Sequence, residues 1–88
     1  MSFDDLEANE RALLDFERVA WTLPGRKEDE IRARLGMSPS TYYRALHAVI
    51  DRRAAFVYDP MTVLRVRRRR DAHRRERIQG RRADPRTR

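Results

Sequence analysis

The sequence predicts an all-α fold: a compact helix-turn-helix domain of about four helices, followed by a basic, partly helical C-terminal extension. Three observations predict it. Apolar residues recur at three- and four-residue steps rather than alternating. Helix stops and starts punctuate that pattern at Pro24-Gly25, Gly36, Ser38-Pro39 and Asp59-Pro60. Charge is divided along the chain: residues 1–64 carry nine Lys plus Arg against eleven Asp plus Glu, whereas residues 65–88 carry twelve arginines against three acids. The expected organisation is therefore a nearly neutral domain over residues 1–64 and an arginine-rich extension over 65–88.

Residues 1–5 are expected to fray. A first helix is predicted from Leu6 to about Leu23, with Leu6, Leu13, Phe16, Ala20 and Leu23 forming a wide apolar stripe. Leu14 and Trp21, two turns apart, flank it as core or as a dimer interface. Pro24-Gly25 ends this helix, and Gly25 or Arg26 starts the next. Glu28, Asp29 and Glu30 then occupy a first turn, where carboxylates favour the positive end of the helix dipole. Consecutive acids on an exposed helix start, like Asp4-Asp5, have nothing nearby to position a substrate, so they read as structural.

Ile31 and Leu35 lie one turn apart on an inward face. Gly36 supplies a left-handed stop, because without a Cβ that conformation costs little. Ser38 is placed to cap the following helix and Pro39 to occupy its first position, where no intrahelical bond is lost. Met37 and Tyr42 fall where an apolar contact fixes the entry angle. Tyr42, Ala45, Leu46 and Val49 make a buried stripe, and Ser40, Thr41, Arg44 and His47 lie largely opposite.

That helix is expected to reach about Ile50. Asp51 is placed to cap a short turn over residues 52–57, with Phe56 returning to the core. Tyr58-Asp59-Pro60 repeats the earlier start signal: Asp59 caps, Pro60 begins the last helix, and Tyr58 packs on Val63. Met61 and Leu64 are expected to dock this helix, so a cut after Leu64 should leave a folded domain. Farther on, Arg65, Arg67, Arg68, Arg69, Arg70, Arg74, Arg75 and Arg77 surround the helix on all sides. Arginines one turn apart repel, so the helix should fray after Arg70 and extend when its charge is neutralised. Residues 80–88 are expected to be disordered.

Two resemblances follow from these residues. Ile31, Leu35, Gly36, Ser38, Thr41, Arg44 and Leu46 resemble the helix-turn-helix of lactose- and purine-repressor-type bacterial regulators. Arg32 and Tyr42 depart from the small residue and the valine usual there. The resemblance implies double-stranded DNA as partner, with Pro39, Ser40 and Arg44 facing base edges and Ser38, Thr41 and Tyr43 on phosphates. His47 and the arginines Arg65, Arg67, Arg68, Arg69, Arg70, Arg74 and Arg75 join the expected backbone contacts. Separately, the blocks Leu13–Arg18, Tyr42–Leu46, Ile50-Asp51 and Tyr58-Asp59-Pro60 resemble a family of small uncharacterised actinobacterial and mycobacteriophage proteins. That likeness implies the same fold and no defined reaction.

Composition bounds the alternatives. With no cysteine there is no disulfide, and the usual zinc folds are disfavoured. Neither a long apolar run nor a secretory signal is visible, so a soluble, cytoplasmic and nucleoid-associated protein is expected. No nucleophile sits beside a base and no glycine-rich phosphate loop occurs, so neither an enzyme nor a cofactor is implied. A small transcriptional regulator is the favoured expectation, as a homodimer or alone. Two others stand beside it. One is a module binding RNA polymerase or another host factor through residues 1–30, net −5. The other is an arginine-rich RNA-binding protein.

Overall fold

The computed structural model describes residues 5–82, with side chains described to Ile78. It contains α1 (Ala8–Val19), a single 3-10 turn (Ala20–Thr22), α2 (Lys27–Leu35), α3 (Pro39–Val49), α4 (Arg53–Tyr58) and α5 (Pro60–Arg82). All regular structure among the described residues is helical. Fraying over residues 1–4 and disorder over 83–88 are expectations that lie outside the described residues, whereas residues 80–82, expected to be disordered, form the last turn of α5.

Each start and stop has a local cause. Glu10 reaches back to accept from the Glu7 N–H at 2.8 Å, which fixes the entry to α1. Leu23 is extended, ending the 3-10 turn just before Pro24-Gly25. Gly36 has φ 66° and its N–H donates to the Arg32 carbonyl, closing α2 in the left-handed conformation foreseen for it. The Ser38 hydroxyl accepts from the Thr41 N–H at 3.2 Å, and Pro39 opens α3. Asp59 accepts from the Thr62 N–H at 3.2 Å as α5 begins at Pro60.

α1 lies against α3, α4 and α5, while α2 packs on α3 and α4 on α5. The core that joins them is Leu6, Leu13, Leu14 and Phe16 at one end of the chain, Ile31 of α2, and Tyr42, Leu46, Val49 and Ile50 of or beside α3. Ala55, Val63 and Val66 complete it. Phe16 meets Tyr42 edge to face, with centroids 5.5 Å apart, so the ring at 42 fills the space between α1 and α3.

Several details differ from expectation. Trp21 is 81% exposed, because the chain tightens into a 3-10 turn at Ala20 and rotates the ring off the stripe that buries Leu14. Phe56 is 40% exposed; Ala55 is the residue of α4 that enters the core. Asp51 does not cap α4, whose N-cap is Arg52 without a side-chain cap bond, and it pairs with Arg70 instead. The Tyr58 hydroxyl donates to Asp15 at 2.8 Å, and the residue is 42% exposed. Met61 and Leu64 face outward, and Thr62, Val63 and Val66 face in. The Asp59 cap orients the first turn so that Thr62 points inward, and Val63 and Val66 follow on the same arc. The docking face thus continues past Leu64, and a cut there would remove Val66, which is 2% exposed. In place of a helix loosening after Arg70, α5 runs unbroken to Arg82.

Candidate nucleic-acid interface

The amphipathic pattern of α3 leaves one side open. Ser40, Thr41 and Arg44 are exposed, and Pro39 at its start is half-buried. Arg44 makes no hydrogen bond or ion pair among the described residues, so its guanidinium is available to a ligand. The exposed Ser38 and Thr41 hydroxyls bond to each other at 2.9 Å, which holds the helix start in place. Tyr43 and His47 are half-buried on the flank of α3 that meets α5. The Tyr43 ring is fixed edge-on to Tyr42 at 5.0 Å, with Lys27 Nζ 5.1 Å from its centroid. Burial pulls the His47 pKa below its ordinary value, and the positive charge of nearby Arg70 pulls it the same way.

The seven arginines expected on phosphates divide into two groups. Arg65 donates to the Glu17 carbonyl at 3.1 Å, and Arg67 donates twice to the Ile50 carbonyl, at 3.0 and 2.7 Å. Arg69 donates to Glu17 Oε1 at 2.5 Å. Arg70 binds both oxygens of Asp51, at 3.1 and 3.2 Å, and that hydrogen-bonded pairing raises its pKa further. Arg68, Arg74 and Arg75 are exposed and have no ion pair among the described residues. They do not share a face. Arg68 and Arg75 lie two turns apart on the outward side with Met61 and Leu64. Arg74 borders the groove between α3 and α5, together with His73 and Arg77.

Glu17 is the residue that pattern reading missed. It is 3% exposed and gathers α1, α2, α3 and α5 around one carboxylate. The Tyr42 hydroxyl donates to it, Lys27 Nζ lies 3.0 Å away, and Arg69 takes the other oxygen. Burial pushes its pKa up, but the hydrogen bonds from Tyr42 and Arg69 and the Lys27 charge outweigh that and hold it below the ordinary carboxylate value. Burial, then the Glu17 carboxylate, pushes the Tyr42 phenol far up, so Tyr42 remains a donor. The signal was present: Glu17 stands one turn after Leu13 and beside Phe16, on the stripe that otherwise holds apolar residues.

A family profile matches residues 5–78. The chain belongs to the DUF3263 family, described as proteins of unknown function. The matched span of this DUF3263 protein takes in α1 to α4 and α5 as far as Ile78, so Glu17, the open side of α3 and the groove-lining arginines all lie within it. No curated protein and no solved structure matches the chain. Among the described residues no helix is long and apolar enough to cross a membrane, and no cluster of His, Cys, Asp and Glu has the makings of a metal site.

Proposed function

We propose that this DUF3263 protein binds double-stranded DNA as a small transcriptional regulator, with α2 and α3 acting as a helix-turn-helix. One observation carries the reading: the flank of α3 that carries Tyr43 and His47, next to the exposed Ser40 and Arg44, borders the same groove as Arg74 and Arg77 of α5, so a free helix face has exposed arginines beside it. An α-helix about 10–12 Å across fits a major groove about 12 Å wide. Inserted by its start, α3 brings Ser40 and Arg44 to base edges. Arg44 can donate twice to guanine O6 and N7, a contact that discriminates by about 1–3 kcal/mol. Pro39 and Ser40 read little, so specificity from α3 alone is modest.

Phosphate contacts then set register and supply affinity without sequence information. Arg74 and Arg77 stand beside α3 and carry no counter-charge among the described residues, so they are the arginines best placed for the flanking strand. Arg69 and Arg70 share that side but are already partly neutralised by Glu17 and Asp51. Selection from a random duplex library with the full chain tests the reading. The expected result is an enriched motif containing a guanine whose preference disappears with Arg44→Ala; no enrichment contradicts sequence reading by α3. A second reading rests on Trp21, 81% exposed, and Met61, 71% exposed: a protein partner or a second copy would cover them. Light scattering with and without duplex separates the homodimer from the monomer.

A further inference from the structure

We infer that the groove between α3 and α5 is a binding site for a nucleoside phosphate, whose ring lies over an apolar base and whose phosphate is held by Arg74 and Arg77. This goes beyond the duplex reading and does not depend on it. The groove encloses ≈ 600 Å³, within the range of about 300–1,000 Å³ usual for small-molecule sites. It is lined by the half-buried Tyr43 and by Leu46 and Val66, which are 0% and 2% exposed. Arg69, Arg70, Arg74 and Arg77 line it as well, and no carboxylate does among the described residues.

The two halves of this lining ask for different things from one occupant. Arg69 and Arg70 have counter-ions in Glu17 and Asp51, whereas Arg74, Arg77 and His73 have none among the described residues. The distal end of the groove can therefore accept an anion. An inorganic anion would satisfy those cations but leave the Tyr43 side bare, and an uncharged ring would do the reverse. A nucleotide matches both, because a base stacks on aromatic and guanidinium planes while its phosphate accepts from a guanidinium fork. Tyr43 is pre-set for this role: its packing on Tyr42 and beneath Lys27 fixes the ring before any ligand arrives. The two histidines flanking the groove, His47 on α3 and His73 on α5, add further planar surfaces.

Calorimetric titration of the full chain at low salt, with no duplex present, tests the site using AMP, inorganic phosphate and adenosine. AMP is expected to bind at least about tenfold more tightly than either of the others. The double variant R74Q/R77Q should weaken AMP by about tenfold or more, while R68Q/R75Q, which removes the same charge from the outward face, changes it by less than about threefold. Circular dichroism checks that both variants keep the helical fold. Phosphate binding as tightly as AMP, equal loss in the two variants, or no AMP binding at about 1 mM would each overturn the assignment. A 5′-phosphorylated dinucleotide separates two sources of the same chemistry. Binding tighter than AMP assigns the site to strand ends, and weaker binding assigns it to free nucleotides; a failure of duplex binding bears on neither.

Discussion

Residues 60–70 of α5 and the stretch that follows them are both rich in arginine, yet their side chains meet opposite surroundings. In the first stretch Val63 and Val66 enter the core, and Arg65, Arg67, Arg69 and Arg70 close on carbonyls and acids of the rest of the chain. In the second, Arg74, Arg75 and Arg77 are exposed and unpaired among the described residues. The difference teaches that arginine count does not measure an interface. Of the nearer arginines, Arg67, Arg69 and Arg70 act as clasps that satisfy the Ile50 carbonyl, the Glu17 carboxylate and the Asp51 carboxylate, whereas the farther ones stay exposed.

The largest expected effect comes from removing the acceptor at the centre of the clasp. Glu17→Ala leaves Lys27, Arg69 and the Tyr42 hydroxyl without their shared carboxylate, and breaking a buried ion pair in this way costs about 3–5 kcal/mol. Thermal unfolding followed by circular dichroism should show a fall of well over 10 °C, at about 4–8 °C per kcal/mol. An unchanged midpoint would mean that the cluster does not hold the helices together. The same group predicts acid lability. Its folded pKa lies below its unfolded value, so its stabilisation is present above about pH 4.3 and is lost as the pH falls through the folded pKa. The acid-induced loss should be smaller in Glu17→Ala than in the natural chain.

A paired substitution then sets the two stretches against each other. Arg69→Gln removes a hydrogen bond to a charged, buried acceptor and should cost about 1.5–3 kcal/mol of stability. Arg75→Gln, on an exposed position, should stay within about 0.5 kcal/mol. Equal losses in urea unfolding would erase the distinction. Asp51→Asn sharpens it from the other side. Asp51 is 59% exposed, so releasing Arg70 from it should cost less than about 1 kcal/mol. The freed guanidinium should strengthen duplex binding in a filter or gel assay; weaker binding would count against Arg70 facing the nucleic acid.

The smallest effect is spectroscopic. His47 titrates below the usual histidine value because burial and the Arg70 charge disfavour its cation. Its neutral form is the folded preference, so any stability it contributes is present above about pH 6.5 and is lost as the pH falls through the folded pKa. A phosphate bound beside it should raise that pKa, seen as a shift of its ring-proton titration by NMR when duplex is added. No shift on saturation would remove His47 from the backbone contacts.

How much of this was legible in the chain differs by element. Three caps were readable because they depend on two or three neighbouring residues, Gly36, Ser38-Pro39 and Asp59-Pro60, whereas the cap expected from Asp51 was lost to its distant partner Arg70. The open side of α3 followed from its strong apolar stripe. The inward face of α5 was not readable, because Met61-Leu64 and Val63-Val66 have the same three-residue spacing and only the orientation set by the Asp59 cap decides between them. The pairing of Arg69 with Glu17 spans 52 residues and that of Arg70 with Asp51 spans 19, and no local pattern encodes such partners. Trp21 escaped the stripe because a 3-10 turn changes the helical phase in the last residues.

The central claim is that α3 and the groove side of α5 form one duplex-binding surface. Fluorescence anisotropy of a labelled duplex, titrated over a range of salt with R74Q/R77Q and R68Q/R75Q in the full chain, tests it most directly. The account predicts that R74Q/R77Q lowers the slope of log affinity against log salt by about two and weakens binding more than its partner variant does. Equal losses from the two variants, or no duplex binding by the natural chain at low salt, would contradict it.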